Sequence, residues 1–199
     1  MNSDTRDYFS SFSEYEEMDK IRLKVVFVGL TQAGKTSIVQ VAMEDSLPQE
    51  TMSNPATVDI SRKIIKKEKT PILVFDVGGQ FQYIERIFKD WRDKTFSDVN
   101  IAVFVVDAAN LEKISEAKHY FDLTAKNLYQ YSSNVHFYLF IHKMDLIPKT
   151  ERDNIVDQIK ELLEVFKYSK IKIFQTSIYE DSIYCAIEEL LLNVYPGKK

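Results

Sequence analysis

Residues 29–36, Gly29-Leu30-Thr31-Gln32-Ala33-Gly34-Lys35-Thr36, fit the pattern G-x-x-x-x-G-K-[ST]. The pattern functions only where a buried strand ends and a helix begins. Both flanks comply. Leu23-Lys24-Val25-Val26-Phe27-Val28 is a short apolar run that reads as a buried strand. Thr36 to Glu44 sets Ile38, Val39, Ala42 and Met43 on one side of a helix. Glycines let backbone N–H groups turn inward around phosphate oxygens, and a helix N-terminus adds partial positive charge. The phosphates would lie on the segment Gln32, Ala33, Gly34, Lys35, Thr36 and Ser37. Lys35 would reach the β- and γ-phosphates, and the Thr36 hydroxyl would take a Mg²⁺ position.

The rest of the chain alternates between strand and helix. Ile60 to Lys66, Ile72 to Asp76, Ile101 to Val106, Val135 to Ile141 and Ile171 to Phe174 read as strands. Helical spacing occupies roughly 82–96, 111–131, 151–167 and 180–194, and 45–57, with Pro48, Asn54 and Pro55, reads as a loop. The runs at 101–106 and 135–141 are almost uninterrupted, as parallel strands covered on both faces must be. The pattern predicts an α/β doubly wound sheet that binds its ligand at the carboxyl ends of its strands.

With 199 residues there is room for one domain, and no apolar run approaches the ~18 residues of a membrane span. No signal-peptide pattern opens the chain, and the single Cys185 excludes a disulfide framework or a multi-cysteine metal site. A soluble, cytoplasmic protein is expected. Residues 1–20 form an acidic leader, with six acids against Arg6 and Lys20. The formal net charge of the whole chain is −4, so residues 21–199 sum to zero. A neutral domain of this kind offers no broad basic surface for nucleic acid or anionic lipid. The leader carries Tyr8, Phe9, Phe12, Tyr15 and Met18, so it reads either as a flexible or domain-packed segment or as a partner-binding helix.

A phosphate loop alone does not choose between ATP and GTP. Asp76-Val77-Gly78-Gly79-Gln80 follows a strand forty residues after Thr36. An Asp there can hold Mg²⁺ through water, Gly79 lets the backbone approach a γ-phosphate, and Gln80 can orient a water. Here the chain resembles the Ras-like GTPase superfamily. His142-Lys143-Met144-Asp145 follows the strand 135–141, where Ras-like proteins carry Asn-Lys-x-Asp. The resemblance implies that Asp145 accepts hydrogen bonds from guanine and that the Lys143 stem packs along the base. His142 departs from the superfamily but is similar to the Rag/Gtr GTPases. Thr176-Ser177-Ile178 matches the segment whose backbone receives the guanine oxygen, and Ala56-Thr57-Val58-Asp59-Ile60 is similar to the Rag switch segment. Thr57 would then close on Mg²⁺ and γ-phosphate.

The resemblance implies a P-loop NTPase fold over residues 21–196: a Ras-like G domain with a six-stranded, mostly parallel sheet and about five helices. It implies a Rag/Gtr-like GTP/GDP switch with slow hydrolysis. GTP or GDP and Mg²⁺ are the ligands, Thr36, Thr57 and Asp76 hold the metal, and Lys35, Thr57 and Gln80 act on the phosphoryl group. Gly78-Gly79-Gln80 and His142-Lys143-Met144-Asp145 look like the A/B branch, whereas Gly29-Leu30 and Tyr179-Glu180-Asp181-Ser182-Ile183 lean toward C/D. An Arf-like GTPase and a nucleotide-locked scaffold are the alternatives. The partners implied are regulatory and effector proteins, among them a second Rag-like GTPase or roadblock-type proteins. The chain ends at Pro196-Gly197-Lys198-Lys199, without the roadblock-type domain of eukaryotic Rag proteins, so a stand-alone G domain or a piece of a longer chain is expected. Asn2 and the terminal lysines predict no lipid anchor, leaving partner proteins as the route to a membrane. Thr31 and Gln32 stand where Ras has two glycines, which would crowd an inserted arginine finger. The expectation for Cys185 is a small buried side chain, and for Trp91 an anchor of the helix after Gln80.

Overall fold

A computed structural model describes residues 23–67, 70–168 and 170–194. The acidic leader lies outside the described residues. Six strands form one sheet: β1 (Leu23–Val28), β2 (Ile60–Lys67), β3 (Thr70–Val77), β4 (Ile101–Asp107), β5 (His136–His142) and β6 (Lys172–Thr176). Their order is β2-β3-β1-β4-β5-β6, and only the edge strand β2 runs antiparallel to its neighbour. β4 is buried along its whole length except at Asp107, as its apolar run requires.

Six α-helical segments stand among the described residues. They are α1 (Lys35–Ile38), α2 (Phe81–Lys89), α3 (Arg92–Phe96), α4 (Ile114–Tyr131), α5 (Arg152–Leu162) and α6 (Ser182–Leu192). α1 continues directly as a π-helical stretch, Val39–Met43. The expected helix at 82–96 is divided in two. The Arg86 carbonyl accepts from both Asp90 N and Trp91 N, the second a wider five-residue turn, and α2 ends there before α3 begins. Trp91 caps α3 and packs half-buried against the core beside α2.

Each sheet face has its own core. One holds Phe88 of α2, Phe96 of α3 and Phe121 of α4 against Phe104 and Leu139. The other packs Ile38 and Met43 of the first helix and Ile183, Ile187 and Leu190 of α6 against Phe27, Val103 and Phe140. Cys185 is exposed, contrary to the expectation. Two residues past the inward-facing Ile183 lies about 200° around the helix, on the solvent side.

Candidate functional site

Five parallel strands end at one edge of the sheet, and each delivers part of a cleft there. β1 runs into the 29–36 loop. That loop wraps Lys35 so closely that its Nζ donates to the carbonyls of Gly29 (2.8 Å) and Leu30 (2.9 Å). The ammonium is buried, and burial lowers it from 10.5 to about 8, while the nearby Asp76 carboxylate acts the other way. Gly34 precedes α1 at φ 98, and a Cβ there would stand 2.6 Å from Cδ2 of His142. Only glycine fits. Gln32 adopts φ 64 with its side chain exposed, a conformation that costs a side-chain-bearing residue about 1–2 kcal/mol.

β3 brings Asp76 beside this loop. The Thr36 hydroxyl donates to Asp76 Oδ2 at 2.6 Å, and Thr57 Oγ1 lies 2.9 Å from Thr36 Oγ1 and 3.2 Å from the same carboxylate oxygen. The other oxygen, Asp76 Oδ1, is buried and has no hydrogen-bond partner. A buried carboxylate oxygen with nothing to accept from, beside two converging hydroxyls, is a donor set for a hard cation. The residues therefore fit Mg²⁺. Gly79 packs onto the loop, with Thr31 N donating to its carbonyl at 2.9 Å; a Cβ there would stand 2.3 Å from Thr31 N. Gln80 follows as the residue capping α2, its carbonyl accepting from Tyr83 N and Ile84 N. A cavity of about 440 Å³ is lined by Gln32, Gly34, Lys35, Thr36, Ser37, Thr57, Gly79, Gln80 and Lys143. Ala33 does not line it and is buried in the second core.

β5 and β6 supply the other end. His142 is buried, shares a 2.9 Å hydrogen bond between its Nδ1 and Thr176 Oγ1, and lays its ring edge against Gly34. Burial first, and the charge of Lys143 second, push its pKa from 6.5 down to about 4, so the ring is neutral at pH 7. Lys143 takes φ 63, and its Nζ donates to Asp107 Oδ2 at 2.7 Å. Ser177 Oγ donates to Asp145 Oδ1 and accepts from Tyr179 N, which holds the exposed Asp145 carboxylate in place. Ile178 packs half-buried on the second core. Arg152 of α5 ties this loop down through Glu180 at 2.8 Å.

All the residues expected from the sequence lie along this one edge. Sequence reasoning did not single out Asp107, which supports Lys143, or Gln40, which accepts from Asn54 Nδ2 at 2.8 Å, nor did it foresee that the Thr176 side chain supports His142. Asp107 carried a signal, an acid at the carboxyl end of an apolar strand. Among the described residues no group of three or more His, Cys, Asp or Glu is placed to hold a metal, so the Thr36–Thr57–Asp76 cluster would offer a cation two hydroxyls and one acid.

A model of the Gtr1/RagA G protein conserved region matches residues 24–197. The chain is 26% identical over 181 residues to "Ras-related GTP-binding protein A" of Dictyostelium discoideum, covering 90% of this chain and 60% of that protein. It is 24% identical over 181 residues to "GTP-binding protein GTR1" of Saccharomyces cerevisiae, covering 88% of this chain and 58% of that one. The chain therefore spans about three fifths of the length of these curated relatives. Among solved structures it superposes on the Arl6 BBS3 small GTPase of Trypanosoma brucei, bound to the analogue GppNp, with a TM-score of 0.67. That match has 21% identity and covers 87% of this chain and 98% of the other, which supports the fold alone. The curated relatives favour the Rag/Gtr resemblance over the Arf-like one.

The His142 environment makes a prediction about acid stability. The unfolded chain binds a proton near pH 6.5 and the folded chain only near 4, so stability falls as pH drops through that window. The loss reaches about 3 kcal/mol when complete. Thermal unfolding of wild type and His142→Asn from pH 7 to pH 4 should show a pH-dependent gap between them. Parallel curves would mean that the ring is not buried neutral.

Proposed function

The chain belongs to the Gtr1/RagA G protein family, and from that premise we propose that it is a GTP/GDP-binding switch of Rag/Gtr type that hydrolyses GTP slowly. The observation that carries this reading is the convergence, at one sheet edge, of the Lys35 loop, the Thr36–Thr57–Asp76 cluster and the Lys143–Asp145–Ser177 corner.

Each group has a role that follows from its chemistry. Asp145, oriented by Ser177, accepts from the ring N–H and the amino group of guanine. Adenine offers neither arrangement. Lys143 lays its stem along the base while Asp107 restrains its ammonium. Lys35 supplies positive charge to the β- and γ-phosphates, among backbone amides of residues 32–37. Thr36, Thr57 and Asp76 hold Mg²⁺, and when bound the ion neutralises charge on the phosphate oxygens. Gln80 orients the attacking water. The water oxygen bonds to the γ-phosphorus, the bridging bond to the β-phosphate breaks, and GDP and phosphate result. Arg86, on the helix that follows Gln80, is bonded to Asp59, so it is not a free charge for the phosphates. Slow turnover follows, on the order of 10⁻⁴ to 10⁻³ per second without an arginine.

Exposed Met52, Val58 and Phe81 border the cleft on the two segments that touch it. Apolar side chains there suit protein partners that read the nucleotide state: effectors, a second Rag-like chain or roadblock-type proteins. Among the described residues no helix is long and apolar enough to cross a membrane. We place the protein in the cytoplasm, reaching membranes through such partners.

Three measurements test this reading. Asp145→Asn should weaken GTP binding by about one to two decades and favour xanthine nucleotides, because a buried donor–acceptor mismatch costs about 1–3 kcal/mol. Equal wild-type affinity for ATP and GTP would remove the guanine assignment. Gln80→Leu should slow single-turnover hydrolysis while GTP affinity stays within about threefold, and hydrolysis as fast as wild type would take Gln80 out of the mechanism. The third concerns pH. Lys35 titrates near 8 in the free protein, and a triphosphate favours its charged form. Binding above pH 8 should therefore take up a proton and weaken as pH rises. Calorimetry in two buffers of different ionisation enthalpy reads the uptake; none at about pH 9 would mean that Lys35 does not face the phosphates.

A further inference from the structure

The loop that carries Thr57 is held at three points. Asn54 donates to Gln40, Thr57 meets Thr36 and Asp76, and Asp59 binds Arg86. The third contact differs from the others in what it reaches. Arg86 lies on α2, the helix that Gln80 caps, and its Nη1 donates to both carboxylate oxygens of Asp59 at 3.0 and 3.1 Å. Its guanidinium also lies over the Trp91 ring, 5.9 Å from the centroid. Asp59 is bonded through its backbone too, its carbonyl accepting from Gly78 N at 2.7 Å. That contact requires Asp59 at φ 52, a left-handed conformation that Asp and Asn tolerate better than other side chains. One residue thus clasps the 76–80 segment by its main chain and α2 by its carboxylate.

We infer that Arg86 is a positioning residue that, through Asp59, locks the Thr57 loop to the helix capped by Gln80. Thr57 over the cation site and Gln80 at the cleft are thereby set as one unit. The inference rests on the nucleotide site proposed above and adds to it a coupling between its two moving parts. The pair stabilises the arrangement seen here, in which Thr57 is closed on Asp76. It therefore favours whichever nucleotide needs Thr57 closed, the triphosphate over the diphosphate.

The test is stopped-flow dissociation of a fluorescent GDP and a fluorescent non-hydrolysable GTP analogue, with Mg²⁺, from the full chain. Arg86→Gln and Asp59→Asn, the latter keeping the backbone conformation, should each speed release of the analogue about two- to fivefold, the range of an exposed ion pair. GDP release should change by a smaller factor. The double variant should be no faster than either single one, and Arg86→Lys should restore part of the effect. Equal acceleration for both nucleotides, or additive single effects, would overturn the inference. If wild type binds neither nucleotide, the functional reading fails, and hydrogen exchange of the nucleotide-free protein decides on the clasp. Faster exchange at the Gly78 amide in Arg86→Gln supports it, and unchanged exchange overturns it.

Discussion

The register of β1 between β3 and β4 is the constraint on which the cleft depends. Phe27 pairs with Asp76 on one side and Val28 with Phe104 on the other, so the strand enters its loop level with the acid. The same alignment continues outward. Asp107 pairs with His142, and His142 with Thr176, in one row across three parallel strands. From that row Lys143 reaches back to Asp107, and His142 reaches sideways to Thr176. A slip of one residue in any of these pairings would turn its polar residue to the opposite face. The two apolar cores, one on each face, oppose such a slip with every strand residue they bury.

Within the cleft two buried charges stand close together, and neither is fully satisfied by protein. Lys35 has three donors and gives two of them to loop carbonyls. Asp76 has one oxygen crowded by hydroxyls and one with no partner. Burying a carboxylate in this state costs free energy that the two hydroxyls and the nearby Lys35 offset only in part, since Oδ1 has no donor. The depressed pKa of Lys35 expresses the same penalty from the cationic side. Such a site is costly to the free chain and favourable to a ligand that brings phosphate oxygens and a hard cation together. Strain kept at a site and relieved by its ligand gives that ligand a share of its affinity.

What the sequence made legible follows from which forces are local. β4 and β5 were expected within a residue of their observed bounds, because an apolar run covered on both faces has abrupt polar ends. The loop at 29–36, the Asp76 segment and the segments 142–145 and 176–178 were placed by motif, and each lies at the carboxyl edge of the sheet. Features set by contacts far apart in the chain were not legible. Nothing in the 82–96 spacing announces the break at Asp90, which depends on how Arg86 closes its helix, and nothing in 36–44 announces a π-helical stretch. The pairing of Arg86 with Asp59, twenty-seven residues earlier, appears only in three dimensions.

His142 shows how a departure from the wider superfamily can be physically coherent. An imidazole buried beside Lys143 would be a poor choice if it carried charge, but burial keeps it neutral. A neutral ring can share one nitrogen with Thr176 and still present a flat edge to the main chain at Gly34. That edge makes Gly34 necessary twice: for φ 98, and because any Cβ would collide with the ring. The strand end that carries His142 and leads into Lys143 is thus packed against the loop that carries Lys35. Movement of either requires the other to yield, since a packed contact between a rigid ring and a main chain has no soft direction along its normal. The two halves of the cleft are joined at this contact, and the clasp of Asp59 by Arg86 joins the two segments that cover it.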